Sequence, residues 1–194
     1  MVAAGRMADK NRLCVVGASN MDLIAYVPRF PAPGETLKGH KFQQGYGGKG
    51  MEGLLFVCCV APPHLMFVLT GANQAVAAAL YGGNVVFVAK VGDDLFGEGM
   101  KRNLKEKGID ITYVGTEEGV ASGVAPIFVE DSGENCIVIC GGANDLLKKA
   151  DLVLAKEAIA TCSHLLCQLE IDVTVTAEAL CMGAEASVYT VRLL

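Results

Sequence analysis

The sequence lacks any basic run longer than the pairs Lys101-Arg102 and Lys148-Lys149, and its net charge is −5. A nucleic-acid or anionic-membrane binder needs a basic face, so neither partner is expected. Charge is sparse altogether, 19% of residues against 52% hydrophobic, which excludes intrinsic disorder. There is no C-x-x-C, and His40, His64 and His164 are not spaced as metal ligands, so no zinc site is expected. Of the eight cysteines, Cys14, Cys136, Cys140, Cys162 and Cys167 lie in or beside strand-like apolar runs, where a free thiol acts as a small hydrophobe. The opening MVAAGRMADKNR has no apolar core, so a secretory signal is not expected. A reducing cytoplasmic or nuclear compartment follows from that expectation. Tryptophan is absent, but glycine is plentiful at 23 residues.

What is present alternates between strand and helix. Leu13–Gly17 is a continuous apolar run ending in glycine, as in a buried parallel strand. Leu23–Val27 and Leu37–Gln44 flank a Pro/Gly turn and read as a small antiparallel pair. Ala72–Leu80 is alanine-rich and helical, and Val85–Lys90 is a strand. Leu95–Lys107 is amphipathic, with Leu95, Phe96, Met100 and Leu104 assigned to one face. Ile111–Val114 is a strand, and Gly123–Glu130 with Asn135–Ile139 forms a hairpin. Asp151–Ala160 and Val175–Met182 are helical, Leu165–Leu169 a strand, and Ser187–Leu194 starts another. Such alternation indicates an α/β fold on a mostly parallel sheet, with the antiparallel pairs as a separate small sheet.

Three patterns have the composition of a binding site. Gly45-Tyr-Gly-Gly-Lys-Gly50 fits G-x-G-x-x-G but follows a polar segment, and Gly50 stands where Walker A requires Ser or Thr. It is either a plain turn or a loop whose amides and Lys49 close on a polyhydroxylated ligand. Asn20-Met21-Asp22 lies just beyond the first buried strand, where open α/β sheets bind ligands. An amide and a carboxylate there suit sugar hydroxyls, although an ordinary Asx turn has the same spacing. Gln168-Leu169-Glu170 ends another buried strand, which brings Glu170 to the edge occupied by Asp22.

These runs occur in order with Pro33-Gly34-Glu35-Thr36, Ala72-Asn73-Gln74-Ala75, Val91-Gly92-Asp93-Asp94 and Gly141-Gly142-Ala143-Asn144. Together they resemble the ribokinase branch of the PfkB sugar kinases. The resemblance implies a ribokinase-like three-layer α/β/α sandwich with a small β-sheet lid, lid strands falling near 23–47 and 123–140 of a partial domain over 11–194. It implies that Asn20, Met21 and Asp22, the loop Gly48, Lys49 and Gly50, then Ala72, Asn73 and Glu170 surround D-ribose or a similar sugar. It further implies ATP with Mg2+ and a monovalent K+, phosphorylation to ribose 5-phosphate, and a homodimer or heterodimer through the lid. Other PfkB sugar or nucleoside kinases are the alternative.

Two departures accompany the resemblance. In the family the Gly-Gly-Lys-Gly loop runs straight into Ala-Asn-Gln, whereas here the 21 residues Met51–Gly71 intervene. This apolar stretch spans 17 residues from Gly53 to Leu69, interrupted by Pro62-Pro63, which is a poor membrane span. Closing such a loop costs only about 2.7 kcal/mol of chain entropy, so the flanking fold can tolerate it. The second departure is the end of the chain: residues from about Gly183 look off-pattern, and the family's C-terminal Gly-Ala-Gly-Asp base and nucleotide pocket have no match. The expectation is therefore a truncated, catalytically inactive chain that retains sugar-site residues or docks on full-length subunits.

Overall fold

A computed structural model describes residues 12–46 and 70–192. Loop residues Gly48, Lys49 and Gly50, and the atypical segment up to residue 69, lie outside the described residues. Five strands form a wholly parallel sheet in the order β5-β4-β1-β8-β9. These are β1 (Arg12–Val16), β4 (Asn84–Gly92), β5 (Asp110–Glu117), β8 (His164–Cys167) and β9 (Tyr189–Arg192). Side chains alternate across the two central strands. Cys14, Val16, Val86 and Val88 enter one core, and Val15, Val85, Phe87 and Ala89 enter the other.

Helices cover both faces, giving three layers. The Val15 side packs on α1 (Gly71–Leu80) and α2 (Leu95–Glu106). The Cys14 side packs on α3 (Lys149–Leu154), α4 (Lys156–Thr161) and α5 (Val173–Glu185). The single helix expected over Asp151–Ala160 is two short ones, divided at Ala155. Leu95, expected on the buried face of α2, is 83% exposed. It precedes Leu104 by nine residues, two and a half turns at about 3.6 residues each, and so lies on the opposite side of the helix.

A second sheet has the order β3-β2-β6-β7. Its strands are β2 (Asn20–Val27), β3 (Lys41–Tyr46), β6 (Gly123–Glu130) and β7 (Asn135–Ile137). The two antiparallel pairs are joined by a parallel β2–β6 pairing that aligns Asn20 with Gly123 and Asp22 with Ala125. Strand β3 starts later than expected, after a 28–40 loop pinned by the Arg29–Glu35 ion pair and by Ala32 N–H donating to Glu35 at 2.9 Å. The cysteines divide: Cys14, Cys162 and Cys167 are buried, but Cys136 and Cys140 are exposed near the outer hairpin, contrary to their apolar sequence setting.

Thr70 and Gly71, placed by sequence in the atypical segment, are the cap and first residue of α1. The final residues also have a role. Gly183 is buried where α5 meets Leu165 and Thr190, and β9 pairs in register with β8, so this stretch is not off-pattern. No helix among the described residues is long and apolar enough to cross a membrane.

Candidate functional site

The site develops where β1 ends. Gly17 follows Val16, and its backbone N–H donates to the Val88 carbonyl at 3.1 Å, continuing the ladder toward β4. The N-terminus of α1 docks here, with Ala72 N–H donating to the Ala18 carbonyl at 3.0 Å. Two glycines permit the approach. A Cβ on Gly71 would lie 2.9 Å from the Gly17 Cα and 2.8 Å from Gln168 Oε1. Thr70 caps the helix by accepting from Asn73 N–H at 3.3 Å, which fixes Asn73 in the first turn. Gln168, at the end of β8, donates from Nε2 to Gln74 Oε1 at 2.5 Å and ties a third segment to the same corner.

Asn20 and Asp22 start β2 rather than forming an Asx turn. Strand alternation places both on one face and Met21, 3% exposed, on the other. Met21 therefore does not join the polar set. Ala72 does not join it either: its N–H is bonded to Ala18 and its methyl lies in the core. Strand β3 ends at Tyr46, opposite Met21, with Gly45 opposite Asp22, so the glycine-rich run begins beside the pair.

Glu170 meets the same edge. Burial first, and then the charge of Asp22, push its carboxyl up to about 7. Its Oε2 is buried without a hydrogen-bond partner among the described residues, as is Gln168 Oε1. A buried unsatisfied polar atom costs roughly 1–3 kcal/mol, so these two mark the corner as one built to hydrogen-bond something polar. Two neighbouring carboxylates and two carboxamides, Asn20 and Asn73, provide acceptors and donors suited to adjacent hydroxyl groups.

Gly92-Asp93-Asp94 has a different role. Asp94 caps α2 through Gly97 N–H at 2.8 Å and accepts from Ser122 N–H at 2.8 Å and Ser122 Oγ at 2.6 Å. Burial would raise its carboxyl, but the Ser122 and Gly97 hydrogen bonds outweigh this and hold it below the ordinary value. The elements assigned no work by sequence are Gln74, Gln168 and Asn144, which brace the site from behind. A cleft of about 360 Å³ between α3, α4 and α5, lined by Val153, Lys156, Glu178, Met182 and Glu185, shares no residue with this corner. Among the described residues no three His, Cys, Asp or Glu side chains are grouped as metal ligands.

Comparison with known proteins bears on the family and the fold. The profile of the pfkB family carbohydrate kinases matches residues 70–192. A ribokinase of Dictyostelium discoideum is 40% identical over 178 residues, covering 92% of this chain and 49% of the relative. A deoxyribokinase of Salmonella typhi is 37% identical over 171 residues, 88% of this chain and 49% of the relative. The chain thus spans about half the length of the curated relatives it matches. Arabidopsis thaliana ribokinase, solved with ribose and ATP, superposes with a TM-score of 0.73 at 25% identity, covering 96% of this chain and 53% of that one.

Proposed function

The chain belongs to the pfkB family of carbohydrate kinases, and from that premise we propose that its described residues form the pentose-recognition side of a ribokinase-type site. The observation that carries the reading is Glu170, whose buried oxygen has no partner among the described residues and whose carboxyl feels the charge of Asp22 at the edge of the sheet where Asn20 and the start of α1 meet. Asn20 donates to a sugar hydroxyl, Asp22 and Glu170 accept from others, and Asn73 completes the set. The resemblance adds Gly48, Lys49 and Gly50, which lie outside the described residues, to those that contact the sugar. The second sheet is the cover on this cleft and the surface through which copies associate.

In the family the ATP γ-phosphoryl group passes to the sugar, a transfer in which positioning and charge neutralisation do most of the work. The described residues hold the acceptor sugar but lack the Gly-Ala-Gly-Asp base, so no transfer step is assigned to them. The 194-residue polypeptide is therefore expected to bind ribose and to form no ADP from ATP and ribose. Titration calorimetry with D-ribose, paired with an ADP-release assay, checks both parts. Absence of ribose binding overturns the first, and ribose-dependent ADP formation overturns the second. The similarity to deoxyribokinase favours 2-deoxyribose as a second ligand, which the same titration compares directly.

A further inference from the structure

The run Gly141-Gly142-Ala143-Asn144 has no place in the sugar-facing set, yet it delivers a side chain that is 1% exposed to the centre of the molecule. Gly142, at φ +54°, turns the chain, and Ala143 N–H donates to the Ala121 carbonyl at 2.9 Å. Asn144, two residues on, lands between the end of β1 and the start of β2. Its Oδ1 accepts from Ser19 N–H at 2.8 Å. Its Nδ2 donates to the Ser19 carbonyl at 3.2 Å and to Asn20 Oδ1 at 2.8 Å.

The direction of these bonds follows from the backbone. Ser19 N–H can only donate, so the Asn144 atom facing it is the oxygen, and the other terminus is the NH2 group. That NH2 can only donate, so the Asn20 atom facing it is again the oxygen. A second observation shows the contact is accommodated by the sequence around it. Gly123, the β6 residue aligned with Asn20, has no Cβ, and one placed there would collide with both Asn144 Nδ2 and Asn20 Oδ1.

We infer that Asn144 is a positioning residue: by holding the Asn20 side-chain oxygen Oδ1 it makes Asn20 face its ligand only as a hydrogen-bond donor. The inference rests on reading the cleft as a pentose site. It divides the work there. Asn20 presents N–H to a ligand lone pair, and Asp22 and Glu170 take the ligand's O–H groups.

Two isosteric variants test it. Asn144→Asp keeps the acceptor for Ser19 N–H but removes the donor, so Asn20 turns its NH2 back toward residue 144 and its oxygen toward the ligand. Asn20→Asp keeps the acceptor for Asn144 and replaces the ligand-facing donor with an acceptor. Each is expected to weaken ribose binding at least about tenfold, the scale of one lost hydrogen bond to a buried group, with circular dichroism unchanged. Side-chain amide exchange by NMR gives the readout that loss of packing alone does not move. In the wild type the Asn144 NH2 protons exchange slowly and those of Asn20 faster; in Asn144→Asp the Asn20 protons become the slow pair.

Folded variants that bind ribose within about threefold of wild type overturn the inference, as does fast exchange at Asn144 beside slow exchange at Asn20. If the wild type binds no ribose, the pentose reading fails and wild-type amide exchange alone decides the Asn144 assignment. If Asn144→Asp does not fold, Asn20→Asp, which leaves the Asn144 bonds in place, decides it.

Discussion

Burial raises the Glu170 carboxyl to about 7, and the Asp22 charge adds to the effect. The consequence for stability has a definite sign. Below the ordinary value of 4.5 the folded and unfolded chains both hold the proton; between 4.5 and about 7 only the folded one does. Stability therefore falls as pH rises through that window and levels off above it. Glu170→Gln stays neutral throughout, so it should match the wild type near pH 4 and exceed it at pH 8 by about 1–2 kcal/mol, allowing for its partial solvent exposure. Urea midpoints of both proteins across that range check this, and the same variant should bind ribose less tightly. The thiols give a second check at this scale. Burial holds Cys167 up to about 12, and a hydrogen bond with Cys162 together with burial raises Cys14. Native alkylation should label Cys136, Cys140 and Cys181, whereas Cys14, Cys162 and Cys167 should react only after unfolding. Peptide mapping reads the difference.

Opposing local preferences meet in helix α1. Replacing Gly71 by alanine gains up to about 1 kcal/mol of helix propensity. The added methyl, however, would press on the Gly17 backbone and on Gln168, both fixed at that corner. Overpacking a tight contact costs about 1–3 kcal/mol, so Gly71→Ala should lower stability despite the better helix former, as a urea titration would show. Most elements were legible from local pattern: β1 and β4 as continuous apolar runs, α1 as an alanine-rich stretch, the outer hairpin from its two apolar runs over Gly123–Glu130 and Asn135–Ile139. Helix faces were legible only where several positions agree, which is why Leu95, alone at the first position of α2, was misplaced. That Asn20, Asp22 and Glu170 share one edge of the sheet was legible because each follows or ends a recognisable strand. Met21 and Ala72 were included by adjacency and proved to point elsewhere or to have their groups already bonded. Asn144 lies 124 residues from Asn20, and Gly123 aligns with Asn20 through a parallel pairing that no local periodicity encodes.

At the scale of the whole molecule, the segment 120–122 ties the two sheets together through polar contacts. Gly92, at the end of β4, donates its N–H to Ser122 Oγ at 3.0 Å, and the backbone of residues 120–122 leaves no room for a Cβ on it. Asp94 accepts from Ser122 twice while capping α2, so one carboxylate joins the parallel sheet, a helix and the strand β6 that carries the second sheet. Losing the cap alone costs about 1 kcal/mol, and hydrogen bonds to a charged acceptor are worth about 1.5–3 kcal/mol, so Asp94→Ala should destabilise by about 2–4 kcal/mol. A purely local cap would affect only α2. A latch between sheets predicts a different distribution: amides of β6 and its partner β2 should exchange faster with deuterium, while those of β1 and β4 change only with global stability. Ser122→Ala separates the two contributions, because it leaves the Gly97 cap and the Ser122 N–H bond to Asp94 in place and removes the two hydroxyl links, to Asp94 and from Gly92 N–H. It should speed exchange in β6 with little effect on α2, and acceleration confined to α2 would show that Asp94 does not hold the sheets together.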